Sequence, residues 1–331
     1  METVVSGIRS TGNLHLGNYF GALKNFVKMQ YEHKCFFFIA DYHSLTTHPT
    51  PTDLHNNVRQ VLVEYLASGL DPEVATLYIQ SNVPETTELY LLLNMNAYIG
   101  ELERCTSFKE KIRNQTENIN AGLLTYPVLM AADVIIHKGT KVPVGKDQEQ
   151  HLEMMRTFAN RFNRMYKVNY FQEPFAFNFG EQLIKIPGLD GSAKMSKSDS
   201  ENNAIFLSDG PDIIRKKIMR AVTDAGPTMC NQEKPQAVEN IFSLMKTLSS
   251  IETYTHFNEL YNTCQIRYGD MKKQLAEDAI KFTDPFRVKI KELSSDKEYL
   301  RKVVKMGTEK ARESASKTIS EVREIIGFKP F

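Results

Sequence analysis

The chain is poor in cysteine, has no long apolar run and carries almost no net charge. Its four cysteines, Cys35, Cys105, Cys230 and Cys264, lie far apart, and no two have CxxC spacing. That pattern supports neither a metal site nor a disulfide framework, so free thiols in a reducing cytoplasm are expected. The longest apolar stretches, such as Cys35–Ala40, are far too short to span a bilayer. Met1–Ile8 reads as a strand, with no basic segment leading into an apolar one, so no signal peptide is expected. A formal net charge of +1 does not mark the chain as a whole as a nucleic-acid binder. Neither GxGxxG nor GxxxxGKS/T occurs, which removes the usual dinucleotide and P-loop readings. Internal repeats and low-complexity tracts are absent too.

What is present is a chain of 331 residues, long enough for two or three domains. Thr3–Ile8, Cys35–Ala40 and Ala75–Gln80 read as strands. The second of these is apolar throughout, as expected of a strand buried on both faces of a parallel sheet. Between them lie apolar positions at helical spacing, namely Leu16, Tyr19, Phe20, Leu23, Phe26 and Val27, and then an amphipathic Leu54–Leu66. The order strand, helix, strand, helix, strand predicts a doubly wound parallel sheet of the α/β, Rossmann-like class. Residues 84–126 read as mainly helical, with a polar gap at Asn114–Asn120. Leu123–His137 and Gln148–Phe162 read as helices flanking a very short strand at Val142–Val144. Phe171–Gly191 reads as loop, and everything beyond about Asp209 as helix and connector. Residues 271–331 hold 15 Lys/Arg against 10 Asp/Glu, an excess that suits either a polyanion or a solvated helix surface.

Two segments carry chemistry. In Ser6–Asn18 a strand ends, a glycine-containing turn follows and a helix begins. In a doubly wound sheet this turn lies at the carboxyl end of a strand, where ligands bind. A helix N-terminus offers unpaired N–H groups to phosphate, and Gly17 permits close approach of a nucleotide. His15 and Asn18 are three apart on the opening turn. An ordinary βα turn would look the same. The second segment is Lys194-Met195-Ser196-Lys197-Ser198. Two ammonium groups on a loop suit a leaving pyrophosphate, and a solvated charged loop is the plainer alternative.

Taken together, His15-Leu16-Gly17-Asn18 after the first strand and the intact KMSKS string far downstream resemble the paired HIGH and KMSKS motifs of class I aminoacyl-tRNA synthetases. Three further segments narrow the resemblance. They are Ile99–Arg104 with Phe108–Lys111, Ala121–Asp133, and Val142–His151. All are similar to the bacterial branch of the tryptophanyl-tRNA synthetases. The likeness runs through Leu300–Gly327 and is closest over residues 6–27, 98–112, 121–151 and 194–199.

The resemblance implies an activity, ATP-dependent activation of L-tryptophan followed by transfer to tRNA(Trp). It also implies a site. Tyr126, Met130 and Asp133 share a helix face, and an Asp on that face needs a partner, either a structural one or a ligand N–H. In the family this Asp accepts the indole N–H, with His43, Val144 and Gln148 beside the amino acid. A lone His such as His43 is otherwise more often structural. ATP would meet Arg9, Ser10, Thr11, His15, Gly17 and Asn18 in the first loop, then Gly145, Lys146 and Asp147, and finally Ile186 and the 194–198 string. Lys194, Lys197 and Lys111 would stabilise the pyrophosphate. Mg²⁺ would arrive with ATP, with no tightly bound cofactor and no protein metal site. A homodimer, no membrane and a cytoplasmic location are implied as well. So is a division into a catalytic domain over 1–200, with its helical dimer segment at about 84–126, and an anticodon-binding helical domain over 201–331. The last helix would pack back on the catalytic domain.

The chain departs from the commoner family pattern at Arg9 (Gln in many members), Ser10-Thr11 (Pro-Ser), Tyr42 (Gln), Ser107 (Gln) and Lys146 (Glu). It is also one residue shorter over Ile186–Gly191. These changes bear on phosphate and carboxylate contacts. Because a carboxylate would accept a phenol O–H equally well, Asp133 does not by itself separate tryptophan from tyrosine. A tyrosyl-tRNA synthetase is therefore the near alternative. A non-catalytic tRNA- or amino-acid-binding paralogue is the distant one, and a small-molecule nucleotidyltransferase would leave the helical C-terminal region unexplained.

Overall fold

Five parallel strands form the sheet, in the order β3-β2-β1-β4-β5. The structure is a computed structural model and describes residues 2–114, 119–145, 148–177, 184–196 and 201–329. The strands are β1 (Thr3–Arg9), β2 (Lys34–Ala40), β3 (Thr76–Ile79), β4 (Lys141–Val142) and β5 (Phe175–Ala176). β1 and β2 pair along their whole length, from Thr3 opposite Lys34 to Arg9 opposite Ala40. The expected strands all occur. β5 falls within the stretch read as loop, because a two-residue strand has no periodicity to detect. Every residue of β2 after Lys34 is buried, as its unbroken apolar run requires.

The helices are α1 (Leu16–Asn18), α2 (Lys24–Met29), α3 (Asp41–Ser44), α4 (Pro51–Ala67), α5 (Pro84–Asn94), α6 (Ile99–Leu102), α7 (Thr106–Asn114), α8 (Ala121–Ile135) and α9 (Glu149–Tyr166). They continue with α10 (Pro211–Met219), α11 (Gln236–Leu248), α12 (Ile251–Asn262), α13 (Tyr268–Ser295) and α14 (Lys297–Ile326). Between α1 and α2 runs a π-helical turn, Tyr19–Leu23, so the helix expected from Leu16 is one continuous helical run of uneven winding. Tyr19 and Phe20 pack their rings on Phe282 and Phe286 of α13, tying that run to the C-terminal helices.

Each face of the sheet has its own core. One cluster joins Val4, Phe37 and Leu77 to Leu16, Leu23, Val61 and Tyr65, and continues into Ile214, Phe242, Leu275 and Val303. The other joins Val5, Phe36 and Tyr78 to Val128, Ala132 and Phe158, and ends on Ala311, Ala315 and Val322. α14 contributes to both because it crosses the sheet edge beside β3. Gly307 makes that crossing possible, since a Cβ there would lie 1.7 Å from the Leu77 carbonyl oxygen. Gly307→Ala is therefore expected to lower stability by about 1–3 kcal/mol as α14 is pushed off the strand, read as a lower urea midpoint.

The same crossing buries His137. Its ring stacks on Phe36, with centroids 4.2 Å apart, and its nitrogens meet Tyr78 OH at 2.9 Å and Ser314 Oγ at 3.2 Å. Burial, then the charge of Lys34, brings the imidazole down to about 3. The folded protein thus holds it neutral where the unfolded chain protonates it near pH 6.5. This contribution to stability is complete above pH 6.5 and is lost as pH falls towards 3. The expected slope is about 1.4 kcal/mol per pH unit inside that window, and His137→Gln should flatten it in urea titrations between pH 7.5 and 4.5.

Candidate active site

The strand order reverses between β1 and β4, and in open parallel sheets the crevice outside the carboxyl ends at such a point is where ligands bind. The first motif leaves β1 at this crevice. Ile8 N–H donates to Tyr65 OH at 3.1 Å, and that hydroxyl donates on to Phe38 O. Ser10 Oγ lies 2.9 Å from Ser44 Oγ, so its side chain is turned inward to α3. Gly12 takes a φ of 103°, a conformation that favours glycine. Beyond it, Leu14 N–H donates to the fully buried Glu64 carboxylate at 2.6 Å, and His15 N–H to Asn18 Oδ1 at 3.0 Å. His15 and Asn18 thus build the start of the helix.

The second motif comes to the first. Leu16 N–H donates to Ile205 O and Leu207 N–H to Leu14 O, making an antiparallel bridge between His15 and Phe206. Met195 is 1% exposed, and its N–H donates to Ile186 O at 2.7 Å. A Cβ on Gly17 would meet His15 Nδ1 at 2.8 Å and Met195 Cβ at 3.5 Å. The only apolar residue of KMSKS is therefore the anchor that seats the string against the HxGN turn, while Lys194 is exposed. The loop before it is braced by Asp190, which accepts from Ser192 N–H, Ser192 Oγ and Asn203. Those hydrogen bonds, Ser192's first, hold the Asp190 carboxyl below its usual range. Asn240 of α11 donates to Ser192 O at 2.8 Å, so a C-terminal helix also positions this loop. Lys146, Asp147, Lys197 and Ser198 lie outside the described residues, as does the side chain of Lys111 in α7.

Asp133 sits in α8 and is 2% exposed. His43 Nε2 lies 2.8 Å from its Oδ2, and Gln80 Nε2 donates to its Oδ1 at 2.7 Å. A carboxylate only accepts, so His43 carries its proton on Nε2. Each carboxylate oxygen has a second lone pair, which leaves room for one more donor. Gln80 is in turn fixed by Tyr42 N–H, which donates to its Oε1 at 3.1 Å. Gln80 was not singled out from the sequence. It closes the third strand run as His43 follows the second, so the carboxyl-end rule applied to every strand would have found it.

A second polar knot lies nearby. Tyr126 OH and His151 Nε2 are 2.8 Å apart, and Ser107 Oγ bonds both, at 3.0 Å from His151. Cys105 Sγ lies 3.7 Å from His151 Nε2 and 3.2 Å from Ser107 Oγ. Burial pushes this thiol up, but hydrogen bonds from His151 and Ser107 outweigh it and bring it down to about 6. Burial raises Tyr126 and keeps the phenol protonated. Arg9 is mostly desolvated, which lowers its guanidinium, and it bonds Thr46 Oγ1 at 3.4 Å. Among the described residues no carboxylate pairs with it, and its Nε is buried without a partner.

His43 and Tyr126 line a cavity of about 370 Å³ together with Thr46, Tyr90 and Leu129. That cavity does not reach Asp133. Met130 and Val144 pack on the second core cluster, and Gln148 stands at the start of α9 just beyond β4. The structure therefore brings Asp133 to His43, and His15 and Gly17 to Met195. No described hydrogen bond ties Met130 or Val144 to Asp133.

The family model for class I tRNA synthetases of the W and Y type matches residues 2–284. The tryptophan–tRNA ligase of Porphyromonas gingivalis is 62% identical over 99% of this chain and 100% of its own length. The chain belongs to the tryptophan–tRNA ligase family. The ligase of Clostridium tetani is 43% identical over 99% of this chain and 96% of its own. Among solved structures, the Campylobacter jejuni tryptophanyl-tRNA synthetase complexed with ADP and tryptophan superposes with a TM-score of 0.87 at 33% identity, covering 98% of this chain and 99% of that one. The tyrosyl-tRNA synthetase of Aeropyrum pernix, with a TM-score of 0.65 at 18% identity, shares the fold alone. The tyrosyl-tRNA synthetase alternative is not favoured. Among the described residues no helix is long and apolar enough to cross a membrane.

Proposed function

We propose that this ligase activates L-tryptophan with Mg²⁺-bound ATP and passes it to the 3′ end of tRNA(Trp), using the crevice between β1 and β4. The observation that supports this most is the joining of HxGN to KMSKS. Met195 is buried against Gly17, and a segment downstream of the string pairs its backbone with the same turn, Phe206 opposite His15. The tryptophan carboxylate attacks the α-phosphorus, and pyrophosphate leaves. Such chemistry is mostly positioning and charge stabilisation, so no general base is assigned. Arg9, Thr11, His15 and Asn18, at the turn that opens the first helical run, meet the ATP phosphates with their side chains. Gly145, Lys146 and Asp147 serve the ribose and adenine side. Lys194, Lys197 and Lys111 meet the charge that develops on pyrophosphate. Asp133, fixed by His43 and Gln80, accepts the indole N–H.

A homodimer through α5 and α6 is part of this reading, and the exposed apolar side chains of Leu91, Met95, Tyr98 and Ile99, close in sequence, support it. The helices beyond residue 200 take the tRNA anticodon, in keeping with the basic excess over residues 271–331. The enzyme works in the cytoplasm.

The deciding experiment is ATP–pyrophosphate exchange with tryptophan and tyrosine in parallel. Exchange with tryptophan alone is expected. Exchange with tyrosine would overturn the reading of Asp133, and none with either would overturn adenylate formation.

A further inference from the structure

Cys230 and Cys264 are 34 positions apart (264 − 230), and nothing in their spacing suggests a pair. Folding brings them together. Asn231 N–H donates to Asn262 O at 2.9 Å, which lays the segment before α11 along the end of α12. Tyr261 OH donates to Glu233 O at 3.4 Å, and Lys234 Nζ to Asn258 Oδ1 at 2.9 Å, closing the same seam. Asn231 and Cys264 each turn the chain through a positive φ, 56° and 57°, at the two sides of the seam. The seam makes Cys230 and Cys264 neighbours across it, and both residues are exposed. The other two cysteines, Cys35 and Cys105, are buried.

We propose that Cys230 and Cys264 form a redox-modifiable dithiol that a hydroperoxide converts to an intramolecular disulfide. The juxtaposition, the exposure and the backbone seam of this pair stand apart from the active site. The Cys230 thiolate attacks one oxygen of hydrogen peroxide. The O–O bond breaks, hydroxide leaves and takes the thiol proton as water, and Cys230 becomes a sulfenic acid. Cys264 then attacks the sulfenyl sulfur, the S–O bond breaks, and a second water departs. Two thiols lose two hydrogens, and one peroxide becomes two waters. Desolvation first, then the neighbouring Cys230, holds the Cys264 thiol above its usual range, so the reaction quickens as pH rises. Among the described residues no group of three His, Cys, Asp or Glu could hold a metal, so the pair stands as a dithiol rather than half of a metal site.

The test uses the full chain with dilute hydrogen peroxide. The intact mass should fall by about 2 Da, the two exposed thiols should vanish from a native thiol titration, and a reductant should restore both. Peptide mapping should find the two cysteine peptides linked. Cys264→Ser should give instead a Cys230 sulfenic acid, trapped by dimedone, with no internal cross-link; Cys230→Ser should also lose the link. Cross-linked dimers in place of the internal bond, or separate oxidation of the two sulfurs in the wild type, would overturn the proposal.

Discussion

Asp133→Ala is expected to lower kcat/KM for tryptophan in pyrophosphate exchange by about 10³–10⁵-fold, because a site built around a substrate N–H loses its discrimination with the acceptor. The carboxylate is buried, and on the proposed reading it is the acceptor that would replace the water the indole N–H gives up on entering. Wild-type enzyme should also discriminate against a benzothiophene analogue that lacks the N–H, and Asp133→Ala should accept both poorly and about equally. The substitution strands His43 Nε2–H and one Gln80 amide hydrogen as well, since both now end on this carboxylate. A loss of stability of about 1–3 kcal/mol is expected for each donor left buried and unpaired. Circular dichroism and a urea curve must show the variant folded before its kinetics are read. A folded Asp133→Ala that keeps wild-type discrimination between indole and benzothiophene would remove Asp133 from the amino-acid pocket.

The second large effect belongs to the KMSKS lysines. Lys197→Ala is expected to slow single-turnover adenylate formation by about 10²–10³-fold, the scale seen when one charge-stabilising donor is removed. Tryptophan affinity, read by equilibrium dialysis, should stay within about twofold, because the group acts on charge that appears only in the transition state. Lys194→Ala should fall the same way. The backbone at Met195 is pinned to Ile186 and its side chain is buried at Gly17, which fixes the string at that residue. An unchanged single-turnover rate in either variant would remove that lysine from the chemistry.

The parallel sheet was readable because β2 is apolar throughout and the strands alternate with helix-period segments. The HxGN and KMSKS strings were readable because their residue types are local properties of the chain. β5 was not, being two residues long, and Lys141–Val142 was readable only approximately for the same reason. Gln80 carried the right position but no distinctive chemistry. His151 and Ser107 gained theirs by meeting Tyr126 across two helices.

By itself the sequence determined the fold class, the family and the residue types that chemistry of this kind requires, since periodicity and motif are written in near neighbours. Only the tertiary structure decided which of those residues meet. It seated Met195 on the HxGN turn, partnered Asp133 with His43 and Gln80, drew Cys230 to Cys264 and ran α14 across the sheet edge at Gly307. Those contacts join residues far apart in the chain, and they form because burying each apolar face closes the loops between them.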